Sequence, residues 1–126
     1  MNVQIEISDI QEIFNANFLI TNHNKLIDLK KPLKFKNVEE VRDILKQNQC
    51  ERIVITKFLI SFVKTMYVDK IGVHIDFGIR MRYVKTDDGI IINHLFVSLW
   101  ATVVKGGIKF KFLGVKGAKN LALQDG

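Results

Sequence analysis

From Val73 to Phe112 the chain alternates. Val73, Ile75, Phe77, Ile79, Met81 and Tyr83 occupy every second position, with His74, Asp76, Gly78, Arg80, Arg82 and Val84 between them. A side-chain period of two belongs to a strand with one buried face, because a helix would scatter those residues around its axis. Asp87-Asp88-Gly89 supplies turn residues, and a second rhythm follows at Ile91, Leu95, Val97, Leu99, Ala101 and Val103. Lys105-Gly106-Gly107 turns the chain again before Ile108, Phe110 and Phe112, which alternate with Lys109 and Lys111. Connections this short make antiparallel neighbours. Strands are therefore expected over residues 72–85, 90–104 and 108–115.

Upstream, Val3, Ile5 and Ile7 alternate with polar residues and predict a strand over 2–8. Asp9 and Glu12 have the spacing of a capping box, with Ile10, Ile13 and Phe14 behind it, so a short helix is expected near 9–16. Phe18-Leu19-Ile20 reads as a short strand that turns at Asn22-His23-Asn24 into a partner at Lys25–Leu29. Pro32, the only proline, argues against a central strand at its position. Leu33 and Phe35 alternate with Lys34 and Lys36, as on an edge guarded by lysine.

The clearest helix spans 38–48. Asn37 is a good N-cap with Glu40 three residues on, and Val38, Val41, Ile44 and Leu45 form one stripe. Residues 52–68 are rich in Ile, Val, Thr, Phe and Tyr, which favours strand, although Lys57, Ser61 and Lys64 would also share one face of a helix. One strand of that length would run roughly 55 Å, so the segment must bend, bulge or divide. The expected fold class is α+β. A curved antiparallel β-meander of long strands (72–85, 90–104, 108–115, with 52–68 and 2–8) packs with a helix at 38–48, all in a single domain of residues 1–126.

Charge is unevenly placed. The net charge is +6, with five Lys and one Asp in residues 25–36, and twelve bases and five acids in residues 52–126. Such a field attracts phosphate polymers and other polyanions. Arg80, Arg82, Lys85, Lys109 and Lys111 fall on or near neighbouring strands, with Lys34 and Lys36 able to extend them. These seven are the candidate anion-binding or nucleic-acid-binding residues. Ile92, Phe96 and Trp100 lie together on the other face of the second long strand under strict alternation. That face is too apolar to be left to water, so they are the candidate interface of a homo-oligomer.

Other chemistry finds little support. His74 and Asp76 could pair on one strand face, yet no nucleophile accompanies them. His23, His74 and His94 lack metal-ligand spacing, and Cys50 is the lone cysteine, so neither a metal nor a cofactor is expected. The glycines match neither a Walker loop nor a dinucleotide-binding fingerprint. The N-terminus has no signal-peptide pattern, and the longest apolar stretch is interrupted by Lys57 and Lys64. A cytoplasmic protein without a transmembrane segment is expected. The functional expectation is a non-enzymatic binding or assembly protein that meets nucleic acid through a basic sheet face. The alternatives are a homo-oligomeric interaction protein and a binder of a hydrophobic small molecule between sheet and helix.

Overall fold

The longest strands follow directly from the alternation. In a computed structural model, which describes residues 2–68, 73–105 and 108–110, Val73–Thr86 and Gly89–Lys105 form one long hairpin. In chain order the elements are β1 (Asn2–Ile5), a 3-10 turn (Ile10–Phe14), α1 (Ala16–Thr21), β2 (Lys25–Phe35), α2 (Val38–Gln47), β3 (Glu51–Ile55), β4 (Leu59–Val68), β5 (Val73–Thr86), β6 (Gly89–Lys105) and β7 (Ile108–Phe110). Six strands lie side by side in the order β1-β2-β6-β5-β4-β3, and β7 pairs with the far end of β6. The sheet is open and mostly antiparallel. It is mixed, because β1 runs parallel to β2.

One face of the sheet is the core. Ile60 and Phe62 of β4, Ile75, Phe77, Ile79 and Met81 of β5, and Leu95, Val97 and Leu99 of β6 are all buried there. The 3-10 turn and both helices contribute Ile13, Phe14, Leu19, Val41 and Leu45 to the same core. This two-layer arrangement gives each amphipathic element somewhere to bury its apolar side.

Helix α2 is bounded as its sequence directs. The Asn37 side chain accepts from the Glu40 N–H at 3.0 Å. At the other end Gln49 takes φ of 55°, Cys50 N–H donates to Leu45 O at 2.9 Å, and Gln49 N–H donates to Lys46 O at 3.1 Å. Those two bonds are the Schellman pattern, which satisfies carbonyls the helix leaves open. Lys64 stands on the core-facing row of β4, between Phe62 and Met66. Its ammonium donates to Asn48 O and lies 5.9 Å from the Phe14 ring centre. A cation at a helix C-terminus is favoured by the helix dipole.

Burial beside that helix end pushes the Cys50 thiol up to about 11, with the Lys64 charge pulling the other way. The folded state therefore holds the thiol proton more tightly than the unfolded chain does, so raising the pH favours unfolding. Stability from this site is complete below the ordinary value of 9.0 and is lost as pH rises through about 11. Urea unfolding across that range should show an alkaline loss in the parent that Cys50→Ala lacks. Parallel curves for the two proteins would refute it.

Several expectations are corrected. Phe18-Leu19-Ile20 is part of α1, not a strand, so no hairpin joins it to Lys25. The Asn15 side chain accepts from the N–H groups of Asn17 and Phe18 at 2.9 and 3.3 Å and starts a helix there. Strand β1 stops at Ile5 and is parallel to its neighbour. The segment 52–68 divides into β3 and β4 around Thr56–Phe58. Lys25–Phe35 is a single strand whose pairing with β6 is interrupted between Asp28 and Leu33, and Pro32 sits in that interruption, where no ladder N–H is needed. Residues 111–115 of the expected last strand lie outside the described residues.

Gly89, which opens β6, has φ of 144°, and a Cβ there would lie 2.1 Å from Phe35 O. The clash is with backbone, so no side-chain rotation relieves it. Gly89→Ala should lose at least about 2 kcal/mol from backbone strain alone. Thermal melting checks this, and an unchanged midpoint would refute the close approach of β2.

Candidate anion-binding face

The face of the sheet opposite the helices is built from the alternate residues. Cross-strand pairing aligns Asp28, His94, Arg82 and Leu59 in one row, and Leu26, Phe96, Arg80 and Ser61 in the next. A bulge on β6 makes this alignment. Arg82 pairs with His94 and Tyr83 with Ile92, leaving Asn93 as the extra residue. One extra residue exchanges the two faces of a strand beyond it. Ile90 and Ile92 therefore turn into the core, and Ile92 is 0% exposed. The expected interface role of Ile92 is thereby corrected, since strict alternation had put it outside.

Two hollows lie on this face, and a third adjoins it at the Lys57-Phe58 turn. The central one, about 560 Å³, is lined by Leu26, Leu59, Arg80, Arg82, His94, Leu95 and Phe96. Arg80 also lines a second, of about 210 Å³, together with Arg52, where Ser61, Gly78 and Ser98 keep the surface low. Arg82 also lines a third, of about 690 Å³, with Lys57, Phe58, Tyr83, Val84 and Lys85. Arg80 is common to the first and second, and Arg82 to the first and third. Together these neighbouring hollows, the trough, are lined by five Arg and Lys residues and His94, and no Asp or Glu lines them among the described residues.

Local chemistry holds these groups in place. The Arg80 guanidinium lies 5.0 Å from the Phe96 ring centre, a cation–π arrangement that orients it across the sheet. Arg52 has φ of 51° and sits where the pairing of β3 with β4 slips between Glu51 and Val54. Arg52 lines the second hollow with Arg80. His94 Nδ1 contacts Asp28 Oδ1, and because a carboxylate has only acceptors, that nitrogen is the donor. The Asp28 charge is thus engaged, and Nε2 is the ring nitrogen left for a ligand. Among the described residues, no ion pair involves Arg52, Arg80 or Arg82.

The expected residues divide. Arg80, Arg82 and Lys85 line the trough. Lys34 and Lys36 line a separate hollow beside Glu40 and Asp88, where acids offset them. Lys31 is paired with Glu6 at 2.8 Å, which holds the Glu6 carboxyl below its usual range. Lys31, Lys34 and Lys36 thus do not line the trough. The Lys109 and Trp100 side chains and all of Lys111 lie outside the described residues. Phe96 is half-buried beneath Arg80. The His74 side chain likewise lies outside the described residues. Asp76, expected to pair with His74 or with one of the arginines, accepts from the Thr65 hydroxyl at 2.7 Å.

Arg52, Lys57, Phe58 and the Asp28–His94 pair escaped sequence reading. Asp28 and His94 are 66 positions apart, and only the pairing of β2 with β6 joins them. Lys57-Phe58 carried a signal, since it interrupts an otherwise strand-like run. No helix among the described residues is long and apolar enough to cross a membrane. The chain matches no protein-family model, and no curated protein or solved structure is similar to it.

Proposed function

We propose that the outer face of the sheet binds nucleic acid through its phosphates. The observation that carries this reading is the group of neighbouring hollows lined by five Arg and Lys residues and by no Asp or Glu among the described residues. A surface whose cations are not spent on internal partners releases counterions when phosphates replace them, and that release drives association. Arg80 and Arg82 stand two residues apart on one strand, about 7 Å along its axis, a separation suited to successive phosphates of an extended strand. The small residues between them and Arg52 let a backbone approach the sheet closely.

Binding of labelled DNA and RNA oligonucleotides, measured by anisotropy against salt concentration, tests the proposal. With up to five phosphates neutralised, log K should fall with log salt at a slope of about −3 to −4 on a single strand. Absence of binding at low salt, or binding indifferent to salt, would overturn it.

A homo-oligomer formed through the same face is the competing reading, favoured by Leu26, which is 41% exposed beside the half-buried Phe96. An isologous contact there would bring the cationic troughs of two copies together, which costs energy unless an anion lies between them. Sedimentation with and without oligonucleotide separates the two readings.

A further inference from the structure

We infer that Phe58 is a stacking platform for an unpaired base, which makes the trough selective for single-stranded over duplex nucleic acid. The inference rests on the phosphate-binding reading of the same face. Phe58 is 66% exposed, the most exposed large apolar side chain among the described residues. Its position is fixed from both sides. Tyr83 N–H donates to Phe58 O at 2.9 Å, and the Tyr83 hydroxyl donates to Thr56 O. Thr56 closes the turn, its N–H donating to Leu59 O at 2.8 Å and its hydroxyl accepting from Leu59 N–H at 3.1 Å. A pinned turn that presents an aromatic ring to solvent loses little freedom when a flat ligand settles on it.

The surroundings indicate what the ligand is. Lys57, Arg82 and Lys85 line the same hollow as Phe58, and Arg82 also lines the central hollow. In the adjoining hairpin turn, Asp88 lines the separate hollow that holds Lys34 and Lys36. An apolar ring edged by cations fits a group that is flat on one side and anionic on the other. A nucleotide unit has that character, and stacking on aromatic side chains is how single strands are held without base specificity. Phe96 cannot serve in this way, because Arg80 already lies over its ring. In a duplex the bases are stacked on one another, so no ring face is free for Phe58.

The test compares three ligands of equal length at low salt: a single-stranded oligonucleotide, its abasic counterpart and a duplex. The parent protein should bind the base-bearing single strand about tenfold more tightly than the abasic strand, the size expected of one stacked base. Phe58→Ala should abolish that preference, so that base-bearing and abasic strands bind alike. Phe58→Tyr should retain the preference. Equal affinity for base-bearing and abasic strands, or a preference that survives Phe58→Ala, overturns the stacking role while leaving phosphate binding intact. Failure of both strands to bind overturns the phosphate-binding reading itself.

Discussion

Replacing Arg80 and Arg82 together by alanine should remove most of the affinity for nucleic acid and leave the fold intact. Both side chains are exposed and lie on the sheet face away from the core. Each lines two of the three hollows, so their joint loss removes a cation from every one of them. With two phosphate contacts gone, the salt slope should shrink by about 1.5, and affinity at about 50 mM salt should fall roughly 50-fold. The loss should be uniform across sequences, since backbone contacts carry no base information. Lys34→Ala plus Lys36→Ala is the matched control. It removes the same formal charge from a hollow that also holds Glu40 and Asp88, so its effect should be several-fold smaller. Equal losses in the two double variants would show that net charge, and not the trough, determines binding.

Phe77→Ala should be the most destabilising single substitution on the central strands. Phe77 is 0% exposed and is the largest of the fully buried side chains. It lies mid-sheet, paired across the strands with Lys64 and Leu99. Truncation removes the transfer energy of the ring and leaves a cavity that a sheet flanked on both sides cannot close. A loss of about 3–5 kcal/mol is expected, a large share of the 5–15 kcal/mol typical of a domain. Chemical denaturation should show a lower midpoint, with Phe77→Leu falling between parent and alanine variant. A Phe77→Ala midpoint within error of the parent would mean that this face of β5 is not core.

Much of the architecture was legible because local rules sufficed. Asn37 and Glu40 marked the start of α2, and Asp87-Asp88-Gly89 marked the hairpin. The alternation around Phe77 assigned a face to each residue of β5. These signals act over a few residues and depend on backbone geometry alone. The misreadings were also local in origin. Phe18-Leu19-Ile20 has strand composition, but Asn15 supplies a cap and Leu19 fits the core, so tertiary packing overrode propensity. Ile92 was placed outside because a bulge of one residue, at Asn93, leaves no compositional mark.

Sequence by itself determined an α+β chain whose long hairpins set Arg80 and Arg82 on the face opposite Phe77 and Ile79, because side chains on a strand must alternate. Only the tertiary structure decided which charges stay available. Pairing across strands engaged Asp28 with His94, set Lys34 and Lys36 near acids, and made Arg52 and Arg80 line one hollow and Phe58 and Arg82 another. The reason is physical. Alternation is a property of the covalent backbone, whereas a charge is spent or available according to neighbours that are distant in sequence.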